Sequence, residues 1–499
     1  MPGIFYALIS ESFYFPQAVI IDRILVWRSY IKMSDTNRET LASRLGFIFL
    51  SAGCAIGLGN VWRFPFITGQ YGGAAFVLMY IIFLLILAMP IMVMEFAVGR
   101  ASGQSVAQSF TVLRPEHKIW SLWGYIAWAG NYILMMFYTV VNGWMISYTY
   151  YSYTGKLDGL SPEAVGSFFG GLLANPYELT FWMAVVIIFG ALVCWAGLQN
   201  GVESITKIMM CGLLLLMIIL AGRSITLEGS GEGLKFYLQP DFSKLFVDDA
   251  GNASYARLGE TVYAALGQAF FTLSIGIGSM AIFGSYLKRD RTLFGESIII
   301  TGLDTFVALM AGLIIFPACF AFGIKPDAGP GLIFVTLPNM FNQMPGGRIW
   351  GALFFLFLSF AALSTVIAVF ENIVACYMDK FGMSRHKAVF AMAATMMVLS
   401  IPCALGFNVW SGFQPLGPGT GVLDLEDFIV SNNLLPIGAL VYLLFCVTKY
   451  GWGWDNFIAE ANTGAGVKFP KFLRWYFTLV VPVIILVILY YQYYLTFGK

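Results

Sequence analysis

Apolar residues recur along this chain in long runs, and glycine, proline and charged residues punctuate them. The punctuation predicts eleven spans, at 44–69, 74–98, 120–151, 179–197, 205–222, 258–287, 293–322, 348–379, 386–407, 427–448 and 472–495. Phe64–Met94, Ile119–Gly155, Thr261–Leu287, Ala388–Leu423 and Trp475–Gly498 contain no Asp, Glu, Lys or Arg. Each exceeds the roughly 20 residues a helix needs to cross a bilayer. The predicted fold class is all-α, a polytopic helical membrane protein.

Composition agrees. Charged residues make up 11% of the 499 and hydrophobic residues 59%. A water-soluble domain carries roughly 25% charged residues, so this chain has too few to cover a water-facing surface. A net charge of +1 offers no case for nucleic acid. The seven cysteines fall singly inside apolar segments, as small core residues rather than a disulfide framework or metal site. No Ser–His, metal-ligand or paired-carboxylate arrangement stands out, so the chain does not read as an enzyme.

Basic residues orient the spans. Counting from Met33, loops and span ends on the amino-terminal side hold 16 Lys and Arg, against 8 opposite. The amino terminus is therefore predicted cytoplasmic and the carboxyl terminus extracytoplasmic. The layout is a cytoplasmic segment 1–43, helices over 44–222, an outer loop 223–257, helices over 258–448, a cytoplasmic loop 449–471, and a last helix and tail 472–499. Residues 1–32 lack the basic start and cleavage site of a signal peptide. They read as an interfacial helix or as sequence upstream of a start at Met33, the second preferred.

Spans 1 and 6 are chemically unusual. Span 1 places Gly53, Gly57 and Gly59 beside Asn60 and Arg63, and span 6 places Gly276 and Gly278 beside Thr272 and Ser274. Glycine costs up to ~1 kcal/mol relative to alanine inside a helix, and polar groups at membrane depth need partners. Gly53 and Gly57 alone form a GxxxG, which commonly marks helix contact. The matching interruption five spans later shifts the reading, because paired breaks in corresponding halves point to a midplane binding site in an inverted repeat. Freed carbonyls can ligate a cation, and freed N–H groups can receive a carboxylate. That pairing suits a zwitterion.

Arg44-Leu-Gly, Gly-Leu-Gly-Asn60-Val-Trp-Arg63-Phe-Pro65, Phe271-Thr-Leu-Ser274 and Phe370-Glu371-Asn372 together resemble the neurotransmitter:sodium symporter family, from about Arg38 to the end of the chain. The resemblance implies an eleven-span bacterial amino-acid transporter of the LeuT type in the inner membrane, with five-plus-five inverted repeats and an eleventh helix. It implies two Na+ sites. One would use the Ala55 carbonyl, Asn60, Thr272 and Asp304; the other would use the Gly53, Ile56 and Ala361 carbonyls with Ser364 and Thr365. The substrate would meet Ala55, Leu58, Gly59, Tyr138, Phe271, Thr272 and Ser274, its side chain lying among Leu134, Phe271, Ile277, Thr365 and Val369. Arg63 with Asp427 would form an outer gate, and Arg38 with Asp379, supported by Tyr286, an inner one.

Two positions refine the substrate. Gly57 stands where monoamine carriers of the family place an aspartate, so the substrate would bring its own carboxylate. Asp304 stands where chloride-dependent members carry asparagine, which implies chloride independence. Three positions depart from the family. Leu41 replaces a tryptophan, Cys211 replaces a proline expected in helix 5, and a twelfth span is missing. Glu95 and Glu371 read as structural supports of the broken helices. A proton-coupled carrier, and a channel or sensor on the same fold, stand as rivals to sodium-coupled uptake.

Overall fold

The computed structural model describes residues 39–246, 255–323 and 331–497, and the elements below lie in the unit Thr40–Lys499. The reading of residues 1–32, the start at Met33 and Arg38 lie outside the described residues. Helices build the fold, and no strand occurs among the described residues. In chain order the long helices are α1 (Arg44–Ala55), α2 (Gly59–Gln70), α3 (Ala74–Ser102), α4 (Lys118–Thr154), α5 (Pro176–Trp195) and α6 (Leu198–Ile225). There follow α7 (Tyr255–Thr272), α8 (Ser279–Ser285), α9 (Leu293–Ala321), α10 (Gly347–Phe381), α11 (Arg385–Gly406), α12 (Val422–Val447) and α13 (Lys471–Tyr494).

Nine of these are long and apolar enough to cross a membrane, and the α1–α2 pair, bent by 53°, forms a tenth. The sixth expected span is interrupted too, α7 ending at Thr272 and α8 starting at Ser279. Elsewhere the helices follow the apolar runs, with α6 starting at Leu198 rather than 205 and α12 at Val422 rather than 427. Local chemistry sets those ends. Ser43 caps α1 by accepting from the Gly46 amide at 3.0 Å, and Asn175 caps α5 by accepting from the Tyr177 and Glu178 amides at 3.2 Å.

The core sits along α10, which packs most extensively on α4 and also touches α1, α5 and α6. From Ala361 to Cys376 every residue of α10 is buried, Glu371 and Asn372 included. The half-helix α8 lies against α3 at backbone distance, since a Cβ on Gly99 would stand 1.7 Å from the Ala281 carbonyl oxygen. Six cysteines are buried as their runs imply, while Cys211 is exposed on α6. In place of a proline kink, α6 opens with a π-helical turn at Leu198–Glu203. Leu41 is buried despite its smaller size than tryptophan.

Candidate functional site

Both predicted breaks are present, and buried polar groups hold them open. At the second, residues 273–278 leave the helix, with Ser274 at φ 50° and Gly276 at φ 101°. Ser274 is the only non-glycine residue with positive φ among the described residues; Gly276 adopts its φ freely because it has no Cβ. Glu95 of α3 accepts hydrogen bonds from the freed amides of Gly276, at 2.8 Å, and Met280, at 3.1 Å. The Asn131 side chain donates to the freed Ile277 carbonyl at 2.8 Å, and the Asn372 side chain donates to Asn131 Oδ1 at 3.0 Å. Glu371 takes the Tyr286 hydroxyl at 2.8 Å and pairs with Arg385 at 2.8 Å, anchoring the far end of α8. Glu95 and Glu371 support the broken helix as the sequence implies. Asn131 and Arg385 escaped sequence reasoning, because their neighbours in sequence name no partner across the fold.

Oxygens gather beside the first break. The Asn60 side-chain amide donates to Asp304 Oδ1 at 2.8 Å, and the Thr272 hydroxyl donates to Asp304 Oδ2 at 2.9 Å. Tyr80 reaches Thr272 at 3.5 Å, and Gln268 donates to the Gly59 carbonyl at 2.9 Å. Ala55 ends α1 above this group. A second cluster lies where α10 faces α1. There Ser364 donates to the carbonyls of Gly53, at 3.0 Å, and Ala361, at 2.8 Å, while Thr365 donates to Gly53 at 3.1 Å. Ile56 lies in the gap itself. Carbonyls, hydroxyls and one carboxylate form an all-oxygen donor set of the kind a hard cation takes. No group of His, Cys, Asp and Glu suited to a metal occurs among the described residues.

Between the breaks lies a cavity. Of the expected substrate contacts, Ala55, Gly59, Leu134, Tyr138, Phe271, Ser274, Ile277 and Thr365 line it, joined by Cys54, Gly57 and Leu435. Leu58 and Thr272 stand just behind the wall, the Leu58 amide donating to Tyr138 Oη at 2.9 Å. Val369 is a correction: it is fully buried on α10 but does not reach the cavity, and Leu435 of α12 provides apolar wall instead. Gly57 has no room for a side chain. A Cβ there would stand 2.2 Å from Tyr138 Oη and 2.6 Å from Thr365 Oγ1.

The outer pair stands open in this structure. Arg63 and Asp427 form no ion pair. The Arg63 guanidinium lies 4.5 Å over the Phe271 ring, and Asp427 accepts from Ser431 Oγ, one turn along α12, at 2.5 Å. Each charge has another partner. On the opposite side, Asp379 accepts from the Ser105 amide at 2.6 Å, while its expected partner Arg38 lies outside the described residues. An unforeseen fastening joins α1 to α6, where Glu203 accepts from the Ala42 amide at 2.7 Å, Ser43 Oγ at 2.8 Å and Lys207 at 2.5 Å.

The family model described as "Sodium:neurotransmitter symporter family" matches residues 38–161 and 171–496. An uncharacterized sodium-dependent transporter of Bacillus subtilis, YhdH, is 34% identical over 458 residues, covering 91% of this chain and 98% of its own length. Another, of Haemophilus influenzae, is 32% identical with the same coverage of each chain. The crystal structure of MhsT in complex with L-phenylalanine is similar with a TM-score of 0.80 and 38% identity, over 91% of this chain and 99% of that one.

Proposed function

Because the chain belongs to the sodium:neurotransmitter symporter family, and is a sodium-dependent membrane transporter of LeuT-type fold rather than an enzyme, we propose that its cargo is a free amino acid. The side chain is hydrophobic, with room for an aromatic ring. One observation carries this reading: one cavity is walled by residues of both helix breaks together with Tyr138 and Phe271, and Thr272 at the end of the same helix holds Asp304. A zwitterion is the ligand class that uses donors and acceptors freed together. The crowding at Gly57 supports a substrate that brings its own carboxylate, since no protein carboxylate fits there. The phenylalanine held by MhsT supports the apolar preference.

In this reading two Na+ ions are co-transported. The first lies among Ala55, Asn60, Thr272 and Asp304, completed by the substrate carboxylate; the second lies among Gly53, Ile56, Ala361, Ser364 and Thr365. Ion and substrate strengthen each other's binding, and that coupling is reciprocal. Tyr138 and Phe271 close over the substrate from outside, and Arg63 and Asp427 approach as they do so. The Asp379 side then opens. The helices over 44–222 and 258–448 act as opposed repeats, with the amino terminus in the cytoplasm of a bacterial cell. Asp304 supplies the negative charge that chloride provides elsewhere, so transport proceeds without chloride.

The test is uptake of labelled amino acids into proteoliposomes with and without an inward Na+ gradient. Equal accumulation in both removes the coupled reading, and no accumulation of any of the twenty amino acids removes the cargo.

A further inference from the structure

The cavity also receives a wall from α12, whose residue Leu435 carries none of the ion chemistry. Leu435 begins the regular part of α12, directly after a π-helical stretch, Phe428–Leu434. A π-bulge rotates the residues after it relative to those before, and such bulges cluster at functional sites. Backbone contact fixes how close this part of α12 comes. A Cβ on Gly276 would stand 2.4 Å from the Leu435 carbonyl oxygen, and one on Gly438 would stand 2.1 Å from the Gly276 carbonyl oxygen. Two glycines therefore let α12 lie directly on the second break, and the side chain at 435 becomes wall. Its neighbour Leu434 packs against Gly130 of α4, and of the pair Leu435 is the one that lines the cavity.

Position matters as much as contact. Leu435 is 3% exposed and carries no polar atom that could bind an ion or the zwitterion's charged groups. It lies against the second break at Gly276, and Ser274 and Ile277 of that break line the same cavity. A substrate fixed by its carboxylate and ammonium at the breaks would direct its side chain into that space.

We propose that Leu435, pressed onto the second break by the Gly276–Gly438 contact, sets the size limit on the side chain of the transported amino acid. The proposal rests on the amino-acid reading above and adds to it a determinant of specificity. Leu435→Ala removes wall and admits larger side chains; Leu435→Phe fills the same space and excludes them. One methylene in an apolar pocket changes selectivity by about 10-fold or more, so each change should move the ratio of large to small substrate by at least that factor.

The experiment measures Na+-dependent binding of labelled leucine to the purified full chain, displaced by alanine, phenylalanine or tryptophan. The tryptophan-to-alanine affinity ratio should rise about 10-fold in Leu435→Ala and fall about 10-fold in Leu435→Phe. Opposite shifts are the signature, because lost stability alone lowers both affinities together. If either variant fails to fold, Leu435→Val carries the same test with a smaller rise. A ratio unchanged within twofold in variants that still bind leucine overturns the proposal. Absence of Na+-dependent binding of every probe by the unmodified protein strikes the cargo reading instead.

Discussion

Glu95 of α3 and Gly276 of the second break meet, the carboxylate of one accepting the freed amide of the other at 2.8 Å, with Met280 sharing the same carboxylate. The second break is thus held by hydrogen bonds from outside its own segment. Removing an acceptor from buried donors costs about 1–3 kcal/mol. Glu95→Ala is expected to lower thermal stability in detergent and to weaken substrate binding, while Glu95→Gln, which keeps one acceptor, loses less. A thermal melt with and without leucine checks the order; an unaffected Glu95→Ala would mean that the break stands without it.

Asn60 donates to Asp304 within the first oxygen cluster. Asn60→Ala should abolish Na+-driven uptake while the protein still purifies as a folded species. Sodium should no longer raise its melting temperature when substrate is present. Sodium-driven uptake at the unmodified rate in this variant would place the ion elsewhere.

Replacing chloride by gluconate should leave uptake by the unmodified protein intact. Asp304→Asn removes the fixed charge and should make the remaining transport, or Na+-dependent binding, depend on chloride. Uptake that vanishes in gluconate for the unmodified protein would overturn this.

Gly57 faces Tyr138 and Thr365 at distances no Cβ tolerates. Gly57→Ala should therefore push Tyr138 from the Leu58 amide and reduce leucine affinity by at least tenfold, with a far smaller effect on melting. Equilibrium binding on the same preparation separates the two.

Glu371 and Arg385 form an ion pair in which the carboxylate is fully buried and the guanidinium nearly so. Breaking such a pair by truncating one partner costs about 3–5 kcal/mol, because the other charge is left behind. Arg385→Ala should destabilise severely, and adding Glu371→Gln should restore part of the loss. Additive losses in the double variant would show that the two do not act as a pair.

The spans, the breaks and most of the cavity were legible in the sequence, because glycine, proline and charge interrupt apolar runs in ways that helix physics makes readable. Asn60, Thr272 and Asp304 do converge, as do Gly53, Ala361, Ser364 and Thr365. Partnerships across the fold were not legible. Asn131 is one polar residue in a long apolar helix, and nothing beside it in sequence names the Ile277 carbonyl. Leu435 looks like any leucine until Gly276 and Gly438 bring α12 onto the break. Val369 lies one turn from Thr365 on α10, yet only Thr365 reaches the cavity. Arg63 was matched to Asp427 by the family resemblance, whereas here Arg63 lies over the Phe271 ring and Asp427 accepts from Ser431.

Ser274 carries one more consequence. Its left-handed backbone turns its hydroxyl onto the Cys54 carbonyl, at 3.2 Å, so the two unwound stretches are tied to each other as well as to their surroundings. Distortion in either stretch is transmitted to the other through this hydrogen bond, and they deform as a single joint. A residue there that keeps the turn but lacks the hydroxyl, such as glycine, would leave each stretch free to relax by itself.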